Sequence, residues 1–265
     1  MSREILNVEH LTKSYRVKNH LFSNSKTLCA VDDVSFNLHE GEVLGIVGES
    51  GCGKSTLAKT IIRMIEPSSG NVELFGKDFL GLTGNELKEA RREIRMIFQD
   101  PYSSLNPKMT IFDIIAEPLL FYEKFSKKEI EEIVFDTMNR VGLDLSYAKR
   151  FPHEFSGGQR QRIVIARAII TKPHIVICDE PVSALDVSIQ AKVLNLLSDL
   201  KNELGISYIF ISHDLEVVRH IADRIIVMEK GKFIEEGTTR EIFESPKMAY
   251  TKDLLNSIPE IPDFI

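Results

Sequence analysis

The sequence predicts an α/β fold: a parallel sheet with helices on both faces, preceded by a small antiparallel β unit and carrying an inserted helical unit. Three observations support this. Largely apolar segments of strand length recur at residues 43–47, 94–98, 175–178, 206–211 and 225–228, as expected of strands buried on both faces. Helical segments alternate with them through the second half of the chain, which is the connectivity of parallel strands. A glycine-rich turn at residues 48–53 leads directly from the first of these strands into a helix.

Taken in order, the first quarter reads as short strands at residues 5–8, around 28–38 and at 71–75, separated by turn-prone residues. The polar stretch between Tyr15 and Thr27, with Asn19, Ser23, Asn24 and Ser25, reads as an exposed loop. Strand 43–47 (VLGIV) is followed by the glycine turn and a helix over residues 54–65. Pro67, Ser68, Ser69 and Gly70 end that helix. Residues 110–145 are helical in character. Ser126 and Glu129 form a capping box, Ile130, Ile133, Val134, Met138 and Val141 follow at helical spacing, and Gly142 suits a left-handed cap. Beyond strand 175–178, a helix runs over 187–204 with Asp186 as N-cap and Gly205 as terminator. Strand 206–211, a helix near 215–221 and strand 225–228 complete the alternation.

The chain has 265 residues, 43% hydrophobic and 27% charged, the balance of an ordinary globular protein. Its 33 Lys and Arg against 39 Asp and Glu leave a net charge of −6. This acidic balance, with no block of like charge, argues against a nucleic-acid partner. Charged residues at the N-terminus argue against a signal peptide, and no apolar run approaches the ~20 residues of a membrane span. Cys29, Cys52 and Cys178 are isolated and lack C-x-x-C spacing, so a reducing compartment without zinc or disulfides is expected.

The chemistry begins at Gly48-Glu49-Ser50-Gly51-Cys52-Gly53-Lys54-Ser55, which fits the phosphate-binding pattern G-x-x-x-x-G-K-[ST]. Glycines let the backbone curl so that successive N–H groups face phosphate oxygens, and the helix N-terminus adds positive potential. Lys54 is expected to reach the β- and γ-phosphates and Ser55 to ligate Mg²⁺. The apolar strand 175–178 ends in Asp179 and Glu180. An acid at that end of a parallel strand can hold Mg²⁺ through water, and Glu180 is placed to act as a general base on water. A third element, Phe155-Ser156-Gly157-Gly158-Gln159 followed by Arg160 and Arg162, offers free N–H groups at a helix start.

With this third element the chain resembles the ATP-binding-cassette ATPases, whose signature motif is usually written with leucine first. The resemblance extends over residues 4–257 and implies further roles. Tyr15 would stack on adenine. Gln99 would sense Mg²⁺ and the γ-phosphate, and His213 would contact the γ-phosphate. Ser183-Ala184-Leu185-Asp186 would be the loop that communicates across a dimer. ATP on Gly48 to Thr56 of one subunit would be completed by Ser156, Gly157, Gly158 and Gln159 of a second. The wording of residues 99–107, 151–162 and 249–259 resembles the ATPase subunits of dipeptide, oligopeptide and nickel importers. Met248-Ala249 departs from the His-Pro often found there. No cysteine follows Cys178, so the iron–sulfur cluster of some members is not expected.

The implied fold is a P-loop NTPase with a RecA-like parallel core. As one cassette, it divides into an antiparallel β subdomain (1–38 and 71–80), the nucleotide-binding core (40–70, 81–100 and 165–235), a helical subdomain bearing the signature (101–164) and C-terminal helices and tail (236–265). The implied function is a Mg²⁺-dependent ATPase on the cytoplasmic side of the membrane. It would power an importer for peptides or a related solute such as nickel. Partners would be transmembrane permease subunits, a second ATPase subunit (a paralogue or a copy) and, indirectly, an extracytoplasmic solute-binding protein. A soluble translation or DNA-maintenance ATPase would usually carry two cassettes, a long coiled coil or C-x-x-C pairs, none of which is visible. A non-hydrolysing partner subunit fits poorly with intact Gln99, Glu180 and His213. Export stays open on residues alone.

Overall fold

The computed structural model describes residues 3–17, 26–122 and 125–257. It opens with two 14-residue strands, β1 (Glu4–Val17) and β2 (Lys26–His39), paired antiparallel from Glu4↔His39 to Val17↔Lys26. From sequence, β1 is expected only over residues 5–8. Polar residues and register shifts after Val8 interrupt its apolar alternation, and His10 adopts φ 51°, yet pairing with β2 resumes and continues. The expected loop between Tyr15 and Thr27 is correspondingly shorter, because Arg16 pairs with Thr27 and Val17 with Lys26; its residues 18–25 lie outside the described residues.

The strand β3 (Val43–Val47) leads through the glycine turn into α1 (Lys54–Ile61). This helix stops short of residue 65: Arg63 takes φ 55°, and the N–H groups of Met64 and Ile65 both turn back onto the Lys59 carbonyl. β4 (Ser69–Leu74) then pairs with the free edge of β1, and β5 (Lys77–Asp78) with β4, giving a sheet of order β2-β1-β4-β5. The helix α2 (Gly84–Glu93) buries no residue, so no apolar stripe announces it in the sequence. It precedes β6 (Ile94–Ile97) and the short α3 (Pro101–Ser104).

A helical unit follows, with α4 (Ile111–Tyr122), α5 (Lys127–Arg140) and α6 (Gly157–Ile169). The expected capping box is present at α5, where Ser126 Oγ accepts the Glu129 N–H and the Glu129 carboxylate accepts the Ser126 N–H. Gly142 takes φ 68° just past its end. The chain then alternates through β7 (Ile175–Asp179), α7 (Val187–Leu204), β8 (Ser207–Ser212), α8 (Leu215–Ile221) and β9 (Arg224–Glu229). Asp186 caps α7 by accepting the Ile189 N–H, and Gly205 ends it in the left-handed region. β10 (Lys232–Thr238), α9 (Thr239–Glu244) and α10 (Ala249–Asn256) complete the fold.

The second sheet has the order β10-β9-β3-β8-β7-β6, parallel except for β10, which pairs antiparallel with β9. Every residue of β3, β7 and β8 is buried, and alternate side chains serve opposite faces. Val43, Val47, Cys178, Tyr208, Phe210 and Val227 join the core packed against α4 to α8. Leu44, Ile46, Ile177, Ile209, Ile211 and Ile226 join the core shared with α1 and the antiparallel sheet. Each buried aliphatic side chain contributes roughly 1.5–3 kcal/mol, so the sheet is a stiff platform for whatever extends from its edge.

Candidate active site

Neighbouring parallel strands present their carboxyl ends along one edge, the ligand-binding side of open α/β sheets. Because β3, β8, β7 and β6 are successive neighbours, the residues following them converge. These are the glycine turn after β3, His213 after β8, Asp179 and Glu180 at the end of β7, and Gln99 after β6.

The turn is wedged between two strands. A Cβ on Gly48 (φ 156°) would lie 2.1 Å from the Met228 carbonyl oxygen of β9, and one on Gly53 (φ 117°) 2.0 Å from the Ala30 carbonyl oxygen of β2. Only glycine fits such positions. Within the turn Glu49, Ser50 and Gly51 are exposed, while Cys52 and Lys54 are buried. The Lys54 ammonium donates to the carbonyls of Gly48 (2.6 Å) and Glu49 (2.8 Å). Thr56 lies in the first turn of α1, its carbonyl accepting the Thr60 hydroxyl. A buried cation beside a curled backbone and a helix N-terminus is an arrangement suited to phosphate.

Ser55 Oγ donates to Asp179 Oδ1 at 2.9 Å. Burial pushes the Asp179 carboxyl above its usual range, although the Ser55 hydrogen bond and the ammonium groups of Lys59 and Lys54 pull the other way. Glu180 holds an unusual backbone, φ 49°, with its N–H donating to the Ile211 carbonyl of β8. Such strain in a non-glycine residue costs on the order of 1–3 kcal/mol, and here it aims the side chain inward. One Glu180 carboxylate oxygen accepts Gln99 Nε2 at 2.8 Å, and the other lies 3.2 Å from His213 Nδ1. Three residues singled out from sequence, on three strand ends, therefore meet at one carboxylate.

The other expected residues lie elsewhere. Ser156 is the N-cap of α6, bonded reciprocally with Gln159. Gly158 lies where a Cβ would meet Ile189 of α7 at 2.5 Å, and Gly157 faces Leu185. Among the described residues, no hydrogen bond or ion pair joins Ser156–Gln159 to the glycine turn. Asp186 accepts from Ser188 and Ile189, and the Ser188 hydroxyl is the main cause holding its carboxyl below the usual range. Tyr15 is exposed on β1, opposite Leu28, with the Lys13 ammonium 5.2 Å from its ring centre.

A cleft of about 530 Å³ beside the Ser55–Asp179 pair is lined by Gln99 and by Lys59, Asp100 and Arg167, which sequence reasoning did not single out. Lys59 was legible in principle: it follows Ser55 by four residues, one helical turn along the same face of α1. Arg167 carried no local signal. It reaches the cleft because α6 crosses behind β6, where it donates to the Ser104 carbonyl at 2.9 Å and pairs with Glu117.

Known proteins place this geometry in a family. Residues 31–183 match the family described as ABC transporter. The oligopeptide transport ATP-binding protein OppF of Haemophilus influenzae is 53% identical over 98% of this chain and 79% of its own length. The dipeptide transport ATP-binding protein DppF of the same organism is 49% identical over 97% of this chain and 79% of its own. Among solved structures, the dimeric ATP-binding cassette MJ0796 in a post-hydrolysis state bound to ADP and Pi superposes with a TM-score of 0.79. It is 30% identical, and the match covers 89% of this chain and 99% of that one. With its P-loop fold and the site at its sheet edge, the chain is an ATP-hydrolysing cassette and belongs to the ABC transporter family.

Proposed function

We propose that this ATPase powers the import of peptides, or of a related small solute, through a membrane permease. The observation that carries the hydrolytic part is the Glu180 carboxylate held between Gln99 and His213 beside the Ser55–Asp179 pair. The peptide assignment is supported by the near-full-length likeness to oligopeptide and dipeptide transport ATP-binding proteins.

The donor set suits Mg-ATP. A hydroxyl and a buried carboxylate 2.9 Å apart are hard oxygen ligands of the kind Mg²⁺ takes, directly or through water. Ser55, Asp179 and Gln99 would hold the ion. When bound, Mg²⁺ neutralises charge on the phosphate oxygens. The Lys54 ammonium, which has one N–H beyond the two that hold its loop carbonyls, would reach the β- and γ-phosphates, and free backbone N–H groups of the glycine turn and the start of α1 would face phosphate oxygens. Glu180 orients the attacking water and takes its proton, while His213 contacts the γ-phosphate. Tyr15 stacks on the adenine.

Ser156, Gly157, Gly158 and Gln159 act on the nucleotide of a second cassette, a copy or a paralogue, with Asp186 close to the subunit boundary. The dimeric neighbour supports this reading. Separation of the signature from the glycine turn within one chain is what a site shared between two chains requires. Among the described residues no helix is long and apolar enough to cross a membrane, which fits a peripheral position on permease subunits at the cytoplasmic face. A groove of about 450 Å³ between β6, α4 and α6, lined in part by Met64, Met96, Phe98, Phe121 and Tyr122, runs along β6, which leads into Gln99. It offers a seat for a permease segment that would feel the state of the γ-phosphate.

The experiment is a mild-detergent pull-down of tagged E180Q protein with Mg-ATP. Recovery of multi-span membrane proteins, a second cassette and a peptide-binding protein is expected. Recovery of ribosomes or nucleic acid without membrane protein would overturn the transporter assignment.

A further inference from the structure

The C-terminal helix reaches the phosphate loop from two hundred positions away in the chain. Tyr250, in the first turn of α10, packs its ring on the main core. Its hydroxyl accepts the N–H of Glu49 at 3.1 Å. That N–H belongs to the peptide unit joining Gly48 to Glu49, whose carbonyl, on Gly48, accepts the Lys54 ammonium at 2.6 Å. One peptide plane is therefore held at both ends, by Tyr250 on one side and Lys54 on the other. Rotating it requires both bonds to break.

The tyrosine is itself held in place. Met248, the N-cap of α10, supplies no side-chain cap. The free N–H groups there are instead taken by the carboxylate of Glu235 on β10, which accepts from Lys247 at 2.7 Å and from Met248 at 3.0 Å. Glu235 is 9% exposed. Burial would raise its carboxyl, but the hydrogen bonds it accepts outweigh that and hold it below the usual range. The turn between β9 and β10 grips the same loop at a second point, where the Gly231 N–H donates to the Cys52 carbonyl at 2.8 Å. Between these grips, the Glu49 carbonyl accepts from Lys54 at 2.8 Å and from the Cys52 N–H at 3.3 Å. Because only backbone groups of residues 247 and 248 take part, Met248 and Ala249 serve without the His-Pro pair expected from resemblance.

We infer that Tyr250 is a positioning residue for the phosphate loop, fixing the Gly48–Glu49 peptide and with it the anchor of Lys54, so that the C-terminal helix preorganises nucleotide binding. This rests on the reading of residues 48–56 as the nucleotide loop. A loop whose peptide planes are already fixed loses less conformational freedom when ligand arrives.

The test is Y250F, which removes the hydroxyl and keeps the ring, with Y250A as the packing control. Two readouts are taken on the full chain: amide hydrogen exchange at Glu49 without nucleotide, and calorimetric Mg-ADP affinity together with KM and kcat for ATP. A neutral hydrogen bond corresponds to roughly a two- to tenfold effect. Y250F is expected to speed exchange at Glu49 by about that factor, weaken Mg-ADP and raise KM similarly, and shift kcat much less. Wild-type exchange and nucleotide affinity in Y250F, with losses confined to Y250A, would reduce the residue to packing and overturn the inference. If the wild-type chain bound no nucleotide, the proposed function would fail, while the exchange rates would still decide whether Tyr250 holds the loop.

Discussion

Gln99 and Glu180 end adjacent parallel strands and meet through a 2.8 Å hydrogen bond from the Gln99 amide to the Glu180 carboxylate. The other carboxylate oxygen faces His213 at 3.2 Å. This geometry orients the carboxylate toward the Ser55–Asp179 side of the site, where it can accept a proton. The E180Q variant preserves shape and one acceptor but removes the base. ATP binding is expected to persist while turnover falls by roughly a hundredfold, the scale of a lost general base. Nucleotide titration combined with phosphate-release kinetics checks it; wild-type turnover in E180Q would reject Glu180 as the base.

Asp179 illustrates a conflict between stability and function. Its carboxyl is raised chiefly by burial, despite the hydrogen bond from Ser55. A raised acid in the folded state contributes stability at low pH that is lost as pH rises through its unfolded and then its folded value. At neutral pH the ionised group is therefore a burden on the nucleotide-free chain. D179N is expected to raise the melting temperature without nucleotide and to lower Mg²⁺-dependent turnover by at least about tenfold. Chelation of Mg²⁺ should stop wild-type hydrolysis, and added Mg²⁺ restore it. A D179N protein with lowered melting temperature and unchanged Mg²⁺ dependence would contradict both parts.

Most of the candidate site was legible in the sequence because its residues sit at the ends of largely apolar strands. The glycine turn, Asp179, Glu180 and His213 all follow such strands, and parallel pairing brings strand ends together whatever the intervening length. The capping signals at Ser126 and Asp186 were legible for the same local reason. What was hidden depends on tertiary contact. β1 runs past its apolar residues because it pairs on both edges, and α2 carries no buried stripe. The positions of Arg167 and Tyr250 arise from long-range packing, to which no residue spacing points.

Ser156 caps α6 and, in the proposed dimer, would also face the partner's nucleotide, and the two roles predict different effects of one substitution. As N-cap of α6 its oxygen accepts the Gln159 N–H, and loss of such a cap costs about 1 kcal/mol. S156A should therefore be only modestly less stable in denaturant unfolding. In the proposed composite site it also acts on the partner's nucleotide, so E180Q is expected to dimerise with Mg-ATP and S156A combined with E180Q is expected not to. Light scattering with and without Mg-ATP separates these effects. A double variant that still dimerises would remove Ser156 from the interface.

Arg224 joins the two sheets. Its guanidinium donates to Glu42 at 2.7 Å just before β3, to the Asn37 carbonyl of β2 at 2.6 Å, and to Glu236 of β10. Burial would raise the Glu42 carboxyl, but hydrogen bonding and charge from Arg224, together with the hydrogen bonds from His39, outweigh it and leave it below its ordinary value of 4.5. A depressed acid contributes stability that is fully present above the unfolded value, about 4.5, and is lost as pH falls through the lower folded value. R224M leaves the half-buried carboxylate with only its His39 hydrogen bonds, for a cost of roughly 2–4 kcal/mol at pH 7. It also removes this source of acid sensitivity, so the gap between wild type and R224M should narrow as pH drops below about 4.5. Denaturant unfolding of both proteins at several pH values measures that gap, and a gap that stayed constant with pH would show that Arg224 acts through packing rather than through Glu42.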